Sequence, residues 1–170
     1  MEKPPSRSPV QAVPRAVLFD AYGTLFDVYS VATLAEQLFP GQGERLSILW
    51  RDKQIEYTRL ASMSGAQGEH YRPFWEITRA GLRYAALRLG LALDAAAEGR
   101  LMNQYHHLSS FPENKPVLQA LRSRGIPAGI LSNGDPQMLS VAVKSAGFDG
   151  LLDPLLSVHE TKRYKTDPAA

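Results

Sequence analysis

Apolar and polar positions follow two rhythms along this chain. Ala16 to Phe19 is a short, uninterrupted apolar run preceded by Pro14, the signature of a strand buried on both faces. Asp20 follows directly and opens a loop containing Gly23 and Thr24. The pattern then turns helical. Val28 to Phe39 carries apolar residues at helical intervals and stops at Pro40-Gly41, and Glu44 to Leu60 sets Leu46, Leu49, Trp50, Tyr57 and Leu60 along roughly one stripe. Ser62 to Gly68 is small and polar, hence a loop. Tyr71 to Leu89 predicts a further helix ended by Gly90, and Asp94 is the expected N-cap of the next, which reaches about Leu108.

The character changes after Phe111-Pro112. Lys115 to Arg124 reads as a helix closed by Gly125, and Ile126 to Leu131 as a second apolar strand leading into Ser132-Asn133-Gly134-Asp135-Pro136. Asp135 as N-cap and Pro136 at the first helical position start a helix that Gly147 ends. Leu155 to Val158 is a third short strand. This order predicts an α/β fold: a Rossmann-like parallel sheet core over 15–28 and 112–170, a helical cap inserted over 29–111, and a flexible tail over 1–14.

Composition narrows the class. A length of 170 residues suffices for one domain with an inserted subdomain, and 44% apolar with 21% charged residues is an ordinary soluble globular balance. A net charge of +2, with no basic cluster interleaved with aromatics, gives no footprint for nucleic acid. The absence of cysteine excludes disulfides, a thiolate metal site and a cysteine nucleophile, and fits a reducing, cytoplasmic setting. Met1 to Pro14 is rich in Pro and Ser and lacks the apolar stretch of a secretory signal, and no segment has the apolar length of a membrane span.

The chemistry-bearing candidates sit at strand ends. Asp20 ends the first strand, Ser132 and Asn133 end the second, and Lys162, Arg163 and Lys165 follow the third. Adjacent parallel strands bring such residues to one crevice. A carboxylate there either holds a cation or attacks an electrophile itself. Pattern alone favours the duller reading, in which an Asp or Ser-Asn after a strand is a turn or cap residue. By the same standard Arg51 is a solvated residue of an amphipathic helix, and Ile55 and Phe74 are core. His106-His107, with no third ligand at suitable spacing, belongs to an exposed helix, and Trp50 and Trp75 are packing residues.

Three motifs change those odds. Phe19-Asp20-Ala21-Tyr22-Gly23-Thr24-Leu25, Leu131-Ser132-Asn133-Gly134 and Tyr164-Lys165-Thr166-Asp167-Pro168 resemble the first, second and third motifs of the haloacid dehalogenase superfamily. The stretch from Leu49 to Thr58, with Arg51 and Ile55 in it, resembles the cap segment of its L-2-haloacid dehalogenases. The resemblance implies hydrolysis of short L-2-haloalkanoic acids to D-2-hydroxy acids, through an ester on Asp20, by a homodimer with no cofactor and no metal. Lys165 would set a positive charge against Asp20, Thr24 would orient it, and Ser132 with the amides of Ala21 and Tyr22 would grip the substrate carboxylate. Arg51 and Asn133 would receive the halide, and Ile55 and Phe74 would wall the alkyl group.

Phosphatases of the superfamily carry a second Asp two places after the nucleophile to protonate the leaving alcohol; here that place is Tyr22. A departing halide needs no proton, so Tyr22 argues for carbon–halogen cleavage. The resemblance also implies further core strands and an acidic fourth motif beyond Ala170, so the chain reads as truncated. A magnesium-dependent phosphatase and a catalytically inactive fragment are the competing readings.

Overall fold

The computed structural model describes residues 14–64, 68–168 and 170; the expected tail, Pro14 apart, and the middle of the 62–68 loop lie outside them. Two rhythms in sequence become two layers of structure. The sheet is parallel and three-stranded in the order β1 (Val17–Phe19), β2 (Ala128–Ser132), β3 (Leu155–Ser157). Val17 pairs with Ala128 and Phe19 with Ile130, while Ser132 pairs with Ser157, so the polar ends of all the strands emerge along one rim. Between β1 and β2 the chain forms α1 (Ala32–Leu38), α2 (Gly43–Met63), α3 (Phe74–Arg88), α4 (Ala95–His106) and α5 (Asn114–Ser123); α6 (Pro136–Ser145) joins β2 to β3.

Several boundaries differ from expectation, each for a physical reason. β1 is not buried on both faces: Leu18 is 54% exposed. It lies at the sheet edge with β2 as its partner among the described residues, whereas central β2 carries the fully buried Ile130. The run from Val28 divides into a 3-10 turn over Val28–Val31 and α1. α3 starts at Phe74 rather than Tyr71, because Pro73 stands before it in extended conformation and disfavours helix at the residue it follows. Asp94 does cap α4, accepting a hydrogen bond from the Ala97 amide at 2.7 Å. His106 is half-buried, not exposed: its ring stacks on Trp75 at 4.0 Å, and burial, then His107, lowers its pKa.

The cap helices cross closely. A Cβ placed on Gly81 of α3 would lie 3.3 Å from Gln54 N, Trp50 O and Trp50 Cδ1, so α2 and α3 meet at backbone distance there. Trp50, 1% exposed, donates its indole N–H to Thr78 O at 2.7 Å. A chain of aromatic rings then runs from the turn after α6, through the loop after β1, to the helices α4 and α2: Phe148 on Phe26 at 6.1 Å, Phe26 on Tyr22 at 6.2 Å, Tyr22 on Tyr105 at 5.7 Å and Tyr105 on Trp50 at 5.2 Å. Continuous apolar packing of this kind makes core and cap one body around the rim of strand ends. No helix among the described residues is long and apolar enough to cross a membrane.

Candidate active site

The turn after β1 is wound tightly on one carbonyl. Ala21 O accepts from the amides of Thr24 (3.3 Å), Leu25 (2.9 Å) and Phe26 (2.9 Å), and Gly23 takes a positive φ of 96°. This winding buries Ala21 and the Tyr22 ring and leaves the Asp20 side chain 45% exposed at the strand end. The amides of Ala21 and Tyr22 donate to no acceptor among the described residues, which suits them to an anionic ligand.

Lys165 reaches this carboxylate from the loop after β3. Its Nζ donates to Asp20 Oδ1 at 2.9 Å and to Leu131 O at 2.7 Å, so the ammonium is fixed against the strand end on two acceptors. Its backbone N–H donates to Asn133 Oδ1 at 2.8 Å, which turns the amide group so that the Asn133 N–H2 remains to donate elsewhere. Ser132 Oγ accepts from the Gly134 amide at 3.1 Å, and its own O–H is left to donate. Gly134 is required by space: a Cβ there would lie 2.6 Å from Tyr22 Cε2.

The cap supplies the opposite wall. Arg51, on α2, donates from Nη2 to Tyr22 O at 2.9 Å and from Nη1 to Gln54 Oε1 at 2.7 Å. Gln54 is completely buried, and its amide is held by Tyr105, donating to Oε1 at 3.0 Å, and by Thr78 Oγ1, which accepts from Nε2 at 2.5 Å. Thr78 in turn donates to Phe74 O at 2.7 Å. These hydrogen bonds, anchored on the buried Gln54 amide, hold the guanidinium in one orientation. Gln54, Thr78 and Tyr105 were not among the expected site residues; the available signal was Gln54 three residues after Arg51, on the same helical face.

A cavity of about 180 Å³ opens between these walls. Asp20, Tyr22, Ser132, Asn133 and Lys165 line it from the core, and Arg51, Ile55 and Phe74 from the cap, so the fold gathers these expected residues in one place. Thr58, Arg59 and Thr166 join them unforeseen. Ala21 is buried beneath the cavity, and Thr24 is exposed outside it, its hydroxyl making no hydrogen bond to Asp20 among the described residues. One carboxylate thus faces the cations Arg51, Arg59 and Lys165, an arrangement that favours a small anionic ligand. Tyr22 is 4% exposed, and burial, then Tyr105 and Asp135, holds its phenol pKa well above the ordinary range. A larger groove of about 630 Å³ between α3 and α4 has its Arg83 and Glu98 paired with each other at 2.6 Å and gathers no such chemistry.

Known proteins resemble this chain over about nine tenths of its length. The family model for haloacid dehalogenase-like hydrolases matches residues 14–170. This chain belongs to that family. The relatives it resembles include several (S)-2-haloacid dehalogenases and the haloacetate dehalogenase H-2 of Moraxella sp. strain B. The chain is 42% identical over 153 residues to the (S)-2-haloacid dehalogenase of Pseudomonas sp. strain YL, a match covering 90% of this chain and 64% of the relative. The crystal structure of the L-2-haloacid dehalogenase RSc1362 superposes with a TM-score of 0.88 at 64% identity, covering 91% of this chain and 68% of that one. The Xanthobacter autotrophicus L-2-haloacid dehalogenase, solved with chloropropionic acid covalently bound, gives 0.84 at 38% identity, covering 92% and 62%. The chain spans about two thirds of the length of such relatives.

Proposed function

We propose that the protein cleaves the carbon–halogen bond of short L-2-haloalkanoic acids, with Asp20 as nucleophile. The observation that carries this reading is the placement of Asp20. It lies at a strand end with one oxygen held by Lys165, in a cation-lined cavity whose would-be general acid is the buried, high-pKa phenol of Tyr22. The covalent chloropropionic acid in the Xanthobacter relative supports an ester route here.

In this proposal the Ser132 hydroxyl and the amides of Ala21 and Tyr22 hold the substrate carboxylate. With Oδ1 engaged by Lys165, the other oxygen of Asp20 attacks C2 from the face opposite the halogen. The carbon–halogen electron pair leaves on the halide, and Arg51 with the free N–H2 of Asn133 stabilises charge that grows only as the bond breaks. Water then attacks the Asp20 acyl carbon. The D-2-hydroxy acid leaves with inverted C2, Asp20 is regenerated, and one proton is released per turnover. Ile55 and Phe74 pack on the alkyl group and exclude water from it.

The test is halide release from L-2-chloropropionate in the presence of a chelator, with Asp20→Asn as control. The expected result is release by the parent, loss in the variant, and an Asp20-containing peptide that gains the mass of the acyl group when turnover is interrupted. Release of phosphate from a phosphomonoester, dependent on magnesium, with no halide release, would overturn the proposal.

A further inference from the structure

Asp135 stands at the N-cap position of α6, with extended φ of −64° and ψ of 152°, yet its side chain makes no capping bond to that helix. Its carboxylate crosses to the cap instead. Oδ1 accepts from the Phe74 amide at 3.0 Å and Oδ2 from the Trp75 amide at 2.8 Å, the first two amides of α3. The N-cap residue of α3 is Pro73, which has no side chain able to accept those bonds. A core carboxylate from the turn after β2 therefore caps a cap helix, and the negative charge complements the positive end of its dipole.

Two further core groups grip the same segment. His159, just beyond β3, places Nδ1 at 3.0 Å from the Tyr71 hydroxyl and 3.3 Å from Asp135 Oδ1, and Tyr164, next to Lys165, donates its hydroxyl to Arg72 O. Residues 71–75 are thus held to the loops that carry the reacting groups. Phe74 is the member of that segment that lines the cavity; it is 3% exposed, with its ring 5.4 Å from Tyr22 and 6.2 Å from Tyr164. Asp135 itself does not line the cavity.

We infer that Asp135 is a specificity-determining positioning residue: by clamping the start of α3 to the core it sets where the Phe74 ring stands, and so how long an alkyl chain the site accepts. Its kinetic consequence rests on the function proposed above, while the clamp itself does not. In the full chain, Asp135→Ala releases both amides, and Asp135→Asn keeps one carbonyl oxygen as acceptor. The panel is chloroacetate, L-2-chloropropionate and L-2-chlorohexanoate. The expected result for Asp135→Ala is that the preference for chloropropionate over chlorohexanoate falls by about tenfold, the scale on which apolar pockets discriminate chain length. The change lies mainly in KM, chloroacetate kcat is little altered, and Asp135→Asn recovers part of the preference. In a Phe74→Ala background, Asp135→Ala changes the preference no further.

Hydrogen exchange provides the second readout, independent of activity. Amides 74 and 75 exchange faster in Asp135→Ala, while those of central α2 keep their protection. A parent that releases no halide counts against the proposed function, and the exchange result then decides the clamp alone. Unchanged exchange at 74 and 75, or an unchanged chain-length preference in an active Asp135→Ala enzyme, overturns the inference.

Discussion

Arg51 shows how little of a residue's role resides in the residue itself. An arginine on an amphipathic helix is usually solvated, but here Gln54 and the Tyr22 carbonyl hold its guanidinium on the cavity wall. Gln54 can do this because Thr78 and Tyr105 hold both ends of its amide in a fully buried setting. Replacing Gln54 with Leu keeps the volume but leaves the Tyr105 hydroxyl and one Arg51 donor without a buried partner. On the proposed mechanism the expected outcome is a fall in kcat on the order of a hundredfold, with KM less affected, because the guanidinium would no longer stand where halide charge is proposed to develop. Steady-state kinetics checks it, and an unchanged kcat would mean that the network only stabilises the fold. At Asp20 the resemblance implied Thr24 as the orienting residue, and among the described residues the side chain hydrogen-bonded to that carboxylate is Lys165.

At the scale of elements, α2 against α3 forms the rigid wall that carries Arg51, Ile55 and Phe74. Their close crossing depends on Gly81, whose would-be Cβ meets two backbone atoms of α2 at 3.3 Å. Gly81→Val is expected to cost about 1–3 kcal/mol through overpacking, since backbone cannot move aside as a flexible side chain can. At Gly99, on the exposed side of α4, an added Cβ would have nothing within 4 Å, so Gly99→Ala is expected to gain about 0.5–1 kcal/mol from helix propensity. Thermal melts of the two variants should move in opposite directions, and melts that move together would contradict this packing. Helix ends were legible when their caps were local. Asp94 caps its own helix three residues on, whereas Asp135, placed correctly by the Asp-Pro signal, spends its carboxylate on a helix some sixty residues earlier in the chain.

For the whole molecule, the consequential feature is the sheet edge. Register places Leu18, Gly129, Leu131 and Leu156 on one face, where Leu18 and Leu156 are 54% and 42% exposed. β1 has β2 as its strand partner among the described residues, which leaves a backbone edge beside this apolar face. Such edges template pairing with another chain. The 170-residue chain made alone is expected to self-associate in sedimentation velocity, and Leu18→Lys to shift it toward monomer; a parent that sediments as a stable monomer would refute this.

The sequence by itself determined the order of strands and helices, because hydrophobic period and Pro, Gly and Asp punctuation act within a few residues. It also placed Asp20, Ser132 and Asn133 at the ends of short apolar runs, where parallel strands must bring them out, while only the resemblance to the third motif singled out Lys165 in the loop beyond β3. Tertiary structure alone decided which neighbour each polar group meets: Gln54 under Arg51, Asp135 on α3, and Leu18 turned toward solvent. Those outcomes depend on which elements approach through space and which face of a strand remains uncovered, and no local pattern encodes either.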